Sequence, residues 1–107
     1  MSILDASTPP LKPAELFVLA ALRTAPLHGY GLVQEVAARS QGRIRIRPGN
    51  LYRVLDRLLY RGLIEVHERA SAEEERRTYY RITALGRRVA QAEAKLLAEV
   101  IGELLAT

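Results

Sequence analysis

Apolar residues recur at helical spacing in four stretches of the chain and alternate with polar ones in two others. The first helical stretch, Leu16-Phe17-Val18-Leu19-Ala20-Ala21-Leu22, is apolar on nearly every side. Pro13 suits its first turn, where a missing N–H costs nothing, and Glu15 suits the positive end of the helix dipole. Pro26 ends this helix, because proline disfavours helical geometry in the residue before it. His28-Gly29-Tyr30-Gly31 reads as a turn. A second helix, from about Tyr30 to Ser40, then places Leu32, Val33, Val36 and Ala37 on one face, with Gly42 as a left-handed cap. Arg43-Ile44-Arg45-Ile46-Arg47 alternates strictly, which predicts a short extended segment with isoleucines inward and arginines outward.

Pro48 opens a third helix in which Leu51, Val54, Leu55, Leu58 and Leu59 make one stripe, leaving Arg53, Arg57 and Arg61 on another face. After Gly62 the period changes to two. Ile64 and Val66 alternate with Glu65 and His67, and Arg77-Thr78-Tyr79-Tyr80-Arg81-Ile82-Thr83 alternates again beyond a turn rich in glutamate. These two runs predict a hairpin, with Tyr79 and Tyr80 on opposite faces. Thr83 can cap a long last helix whose Leu85, Val89, Ala92, Leu96, Val100 and Leu104 share a face. The expected fold class is mainly α with a small β-hairpin. Three parts are expected: a flexible N-terminal arm over 1–10, a winged helix-turn-helix over 11–83, and a C-terminal dimerisation helix over 84–107.

Assembly is expected from burial. A 107-residue chain is one small domain. It has little left with which to cover the all-apolar first helix or the far end of the last one. A second copy is the simplest cover. The expected seam comprises Leu16, Leu19, Leu85, Val89, Ala92, Leu96, Val100 and Leu104.

Charge narrows the chemistry. The net charge is +4, and of the sixteen basic residues only Lys12 and Lys95 are lysines. From Arg39 to Arg61 the sole acid among seven arginines is Asp56. A helix with an apolar back and a guanidinium row in front suits a polyanion, since arginine can grip phosphate or donate two hydrogen bonds to guanine. An ordinary solvated basic face has the same pattern. With no cysteine, thiolate metal sites, thiol nucleophiles and disulfides are excluded. No nucleophile–base pair, paired carboxylates or metal-ligand cluster occurs at workable spacing, so neither an enzyme nor a cofactor is expected. His28 and His67 lack ligand-spaced partners and read as structural, and Asp56 reads as orienting an arginine or a tyrosine. No run approaches a membrane span and no signal-peptide pattern opens the chain, which predicts a cytoplasmic protein with no membrane partner.

His28-Gly29-Tyr30, then Pro48-Gly49-Asn50-Leu51-Tyr52, Leu58 with Gly62-Leu63-Ile64, and Arg77-Thr78-Tyr79-Tyr80-Arg81-Ile82-Thr83-Ala84-Leu85-Gly86 together resemble the PadR family of bacterial transcriptional regulators. The resemblance runs from about Leu11 to Gly86, and the single terminal helix is similar to the short branch of that family. It implies a homodimeric repressor on double-stranded, inverted-repeat operator DNA, with the third helix in the major groove and the hairpin wing beside the flanking backbone. Arg53, Asn50 and Arg57, with Gly49 in the same motif, would approach base edges or phosphates. Tyr30, Tyr52, Arg43, Arg45, Arg47, Arg76 and Arg77 would position the backbone.

Some short members bind aromatic or hydrophobic small-molecule effectors at the dimer interface, around a tryptophan of the terminal helix. This chain has no tryptophan and carries Ala92, Lys95 and Leu96 there. Asn50 stands where the family usually has threonine, and can meet a base edge or tie down the helix start. Tyr30 and Tyr52 can reach phosphate or pack in the core. Glu73-Glu74-Glu75 at the wing tip would repel phosphate, leaving the contact to Arg76 and Arg77. A winged-helix module for protein contact, without sequence-specific DNA binding, is the alternative.

Overall fold

The computed structural model describes residues 8–69 and 78–106. Helix α1 spans Pro13–Leu22 with proline in its first turn, and Glu15 Oε1 accepts a hydrogen bond from the Lys12 N–H at 2.7 Å, satisfying a donor the helix start leaves free. A two-residue strand β1, Leu27–His28, leads into α2, Gly29–Arg39. Helix α3 runs Pro48–Tyr60, strands β2 and β3 run Ile64–Arg69 and Thr78–Ile82, and α4 runs Ala84–Leu105. The strands form one antiparallel sheet in the order β1-β3-β2.

Strand β1 replaces the turn expected at His28. Leu27 faces Tyr80 and His28 faces Tyr79 on β3. Two residues are too short to show a period, so only the pairing identifies them as strand. His28 then serves twice, ending β1 and capping α2, where its Nδ1 accepts from the Gly31 N–H at 3.1 Å. Its ring lies edge-on to Tyr79 at 5.3 Å. Gly29 follows because the next helix comes very close: a Cβ there would stand 2.9 Å from Leu51 Cδ2 of α3.

The ends of the helices are set as the residues suggest. Gly42 adopts φ 79° after α2, joined by Gln41 at φ 57°, and Gly62 adopts φ 73° after α3. The segment Arg43–Arg47 begins in a bend, reaches extended backbone at Arg47 and pairs with no strand among the described residues. Ser40 anchors it, its Oγ accepting from the Ile44 N–H at 2.9 Å. Ile46 is buried, Ile44 half-buried and the three arginines exposed, as alternation predicts. In the hairpin Tyr80 and Ile64 enter the core, but Val66 is exposed and a bulge between Val66 and Glu68 breaks the register at His67.

The core is built around α1, which touches α2, α3, β3 and α4. Val18, Leu19, Ala21 and Leu22 meet Leu32, Val36, Leu55, Leu58, Leu63, Ile64 and Val89 there. This changes the expectation for the seam. Leu19 is 0% exposed and Val89 5% exposed within the single chain, so the domain's own elements cover them and neither presents surface to another subunit. Leu16, Phe17 and Ala20 of α1 remain partly open, as does Ala14, and Pro13 at its start is exposed. Leu85 packs over the turn at Gly62, its Cδ2 3.8 Å from where a Gly62 Cβ would be, and Ala92 is half-buried.

Helix α4 is tied down at its N-terminal half. Thr83 Oγ1 accepts from the Gly86 N–H at 2.9 Å and donates to the Gly62 carbonyl at 2.7 Å, linking cap and turn in one side chain. Gly86 passes so near the Leu63 carbonyl that a Cβ would fall 2.1 Å from its oxygen. Glu93, also buried, accepts from the Leu11 N–H at 3.0 Å and so fastens α4 to the approach to α1. Beyond it Leu96, Leu97, Val100, Ile101, Leu104 and Leu105 are all exposed.

Candidate nucleic-acid interface

Leu51, Leu55 and Leu58 anchor α3 in the core. Their burial decides which residues stand farthest out. At about 100° per residue, Gly49, Arg53, Asp56 and Tyr60 fall within about 60° of one another and opposite the leucines. All four are exposed. A Cβ on Gly49 would meet nothing within 4 Å, so the start of this ridge is open backbone. Asn50 and Tyr52 flank it and are exposed too.

The structure separates arginines that the sequence grouped. Arg53 is exposed and forms no ion pair among the described residues. Arg57 turns aside toward α1, its Nε 2.9 Å from Glu15 Oε2. That Glu15 side chain is 1% exposed, whereas the Arg57 side chain is 42% exposed. Glu15 Oε2 gains an ionic contact there without an aligned hydrogen bond. Arg57 thus serves a buried acid through Nε while its side chain stays partly open to solvent. Arg61 turns the other way and donates from Nη2 to the Pro9 carbonyl at 3.1 Å, holding the chain that precedes α1.

The alternatives left open for three residues are narrowed. Tyr30 and Tyr52 are 68% and 65% exposed, which removes the core-packing reading for both. The Tyr30 ring lies parallel to that of His28, with centroids 6.5 Å apart. The cap position of α3 belongs to Arg47, without a side-chain bond, so Asn50 does not tie down the helix start. Asp56, expected to orient an arginine or a tyrosine, forms no ion pair or hydrogen bond among the described residues. The acid that holds an arginine of α3 among the described residues is Glu15. No local signal could have revealed that pairing, since the partners lie on different helices.

Arg43, Arg45 and Arg47 lie exposed on the segment that leads into α3. In the wing, Arg81 Nη2 meets Glu65 Oε2 at 3.3 Å across the register pair Glu65–Arg81. Arg76, Arg77 and Glu73 to Glu75 lie outside the described residues. Among the described residues no cluster of histidine, cysteine, aspartate or glutamate could hold a metal ion. Among the described residues no helix is long and apolar enough to cross a membrane.

A tri-helical core, a hairpin wing and a third helix presenting arginine from its outer ridge define a winged-helix protein of the kind that regulates transcription on DNA. Comparison with known proteins gives the family. The family described as transcriptional regulator PadR-like matches residues 18–92, and the chain belongs to it. A PadR family transcriptional regulator from Eggerthella lenta is 34% identical, with a TM-score of 0.67 over 87% of this chain and 81% of that one. A transcriptional regulator from Clostridium thermocellum is 26% identical, with a TM-score of 0.69 over 83% of this chain and 89% of that one. An uncharacterized protein of Lysinibacillus sphaericus is 34% identical over 73 residues, covering 68% of this chain and 67% of its own length. The protein is therefore a transcriptional regulator and not an enzyme, and DNA-binding regulation follows from its family.

Proposed function

We propose that the protein is a dimeric, sequence-specific repressor that lays α3 in the major groove of an inverted-repeat operator. The observation that carries this reading is the outer ridge of α3, where Arg53 stands exposed, with no ion pair among the described residues, opposite a leucine anchor. Arg53 and Asn50 then meet base edges, and Gly49 lets the backbone approach. Tyr30, Tyr52, Arg43, Arg45 and Arg47 meet phosphates, with Arg76 and Arg77 of the wing assigned to the flanking backbone. The repressor sense follows the family resemblance.

Dimerisation is supported by the unburied half of α4. Leu96 and Val100 are about half exposed and Leu104 74% exposed, an apolar run that a second copy would cover. The same run borders an open groove of about 550 Å³, lined by Leu16, Phe17 and Ala20 of α1 and by Ala94, Leu97 and Ile101 of α4. The partner's terminal helix is assigned to that groove. An aromatic or hydrophobic effector of the kind the resemblance implies would meet the same lining, which would link its binding to dimer packing.

Two variants test this. Arg53→Ala should cost about 1–3 kcal/mol on the selected operator with the far-ultraviolet spectrum unchanged. Val100→Glu should yield a monomer or an unfolded chain, since a buried unpaired carboxylate costs several kcal/mol. Sedimentation and operator titration on one sample decide between the outcomes: a folded monomer that still binds the operator at full affinity overturns the dimer mechanism.

A further inference from the structure

The outer ridge of α3 carries an acid at its centre. Asp56 lies between Arg53 and Tyr60 on that ridge, exposed and without a partner among the described residues. Its natural basic neighbours are engaged elsewhere, Arg57 by Glu15 and Arg61 by the Pro9 carbonyl. An aspartate is the wrong group for a phosphate, because both are anionic and both only accept hydrogen bonds. On a helix set into DNA, this carboxylate is tolerated where the facing wall offers a donor.

The major groove offers two such donors, the N4 amino group of cytosine and the N6 amino group of adenine. Adenine places its N7 acceptor beside the amino group, where it would face the second carboxylate oxygen. Cytosine presents its amino group without an adjacent acceptor on the same base. Guanine and thymine present acceptors and would repel the group. We infer that Asp56 is a specificity-determining residue that accepts a hydrogen bond from a cytosine N4 amino group in each half-site. This inference rests on the reading of α3 as the groove helix.

The position of that cytosine follows from the spacing. Arg53 and Asp56 are three residues apart, a rise of about 4.5 Å, comparable with the rise of one to two base pairs. Arg53 suits guanine through its N7 and O6. The pair therefore favours a guanine and a cytosine on the same or adjacent base pairs. A guanidinium and a carboxylate side by side also reject the reversed pair, since each would then meet its own kind of group.

The test is selection from a randomised duplex library with the full chain, Asp56→Ala, Asp56→Asn and Arg53→Ala, followed by titration of each protein on the selected site and its single-base variants. The wild type should select cytosine at one position of each half-site. Asp56→Ala should flatten the preference at that position, lose about tenfold on the selected site and bind unselected duplex more tightly. Asp56→Asn should move the preference to adenine, which an amide can contact through two bonds. If Asp56→Ala instead tightens binding to every duplex by the same factor and leaves every base preference intact, the carboxylate is only repulsive and the inference is overturned. If Arg53→Ala retains the full preference, or the wild type selects no sequence, the reading of α3 fails and the inference fails with it.

Discussion

Arg53 and Arg57 are one turn apart on the same helix, yet they should respond oppositely to the same substitution. Replacing each by methionine keeps most of the aliphatic stem and removes the charge. At Arg57 this strands the Glu15 carboxylate, which is 1% exposed and retains, among the described residues, the Lys12 N–H at 2.7 Å. Breaking a buried pair by removing one partner costs about 3–5 kcal/mol, and the half-open position of Arg57 lets water recover part of that, so a loss of about 2–3 kcal/mol is expected. Arg53→Met removes no contact in the free protein and should stay within about 0.5 kcal/mol. Urea unfolding at one fixed protein concentration measures both, since any dimer adds its own concentration dependence. Glu15→Gln and the double variant complete a cycle, in which the coupling between Glu15 and Arg57 should exceed about 0.5 kcal/mol. Equal losses at Arg53 and Arg57, or a coupling near zero, would refute the account of Arg57 as a group spent on a buried acid.

Two further positions test how α4 is joined to the winged helix. Gly86→Ala forces a methyl group to within 2.1 Å of the Leu63 oxygen and 2.8 Å of Ile82 Cγ1, so it should cost about 3 kcal/mol or leave the chain unfolded, read from the thermal midpoint. Thr83→Ala loses the cap on Gly86 and the bond to the Gly62 carbonyl and should cost about 1–2 kcal/mol, whereas Thr83→Ser, which keeps the oxygen, should recover most of it.

The long elements were legible in the sequence because each carries its own period. The leucine stripe of α3 set its buried face, and the alternation of Tyr79 and Tyr80 put the two rings on opposite faces, while the structure shows that it is Tyr80 that enters the core. What the sequence could not supply were facts that join distant residues. Strand β1 exists because Leu27 and His28 find Tyr80 and Tyr79, and two residues hold no periodicity. Glu15 looked like a group chosen for a helix dipole, and the structure adds the guanidinium waiting on another helix. Leu19 looked exposed only while α1 was considered alone, since a helix apolar all round can be covered from several sides by one small domain. The Arg53, Arg57 and Arg61 row failed for a related reason: a shared helical face fixes where side chains start and leaves open where long ones end.

These cross-links bear on the spacing between half-sites. In a two-fold dimer built on α4, the separation of the two reading helices depends on how rigidly α4 is connected to α3 within each subunit. The structure provides that connection through α1. Glu93 of α4 accepts from Leu11 beside the start of α1, and Glu15 of α1 holds Arg57 of α3. Both acids are buried, and each holds a polar partner at a junction between helices, Glu93 a backbone N–H and Glu15 a guanidinium, where an apolar contact could slide. Packing of Leu22, Leu55 and Leu58 fills the space between them. Helix α3 is thus held at a set angle to α4. On the proposed dimer, changing the operator by a base pair between half-sites should therefore be opposed by the protein's internal packing, and should weaken binding more than a single mismatch at a contacted base.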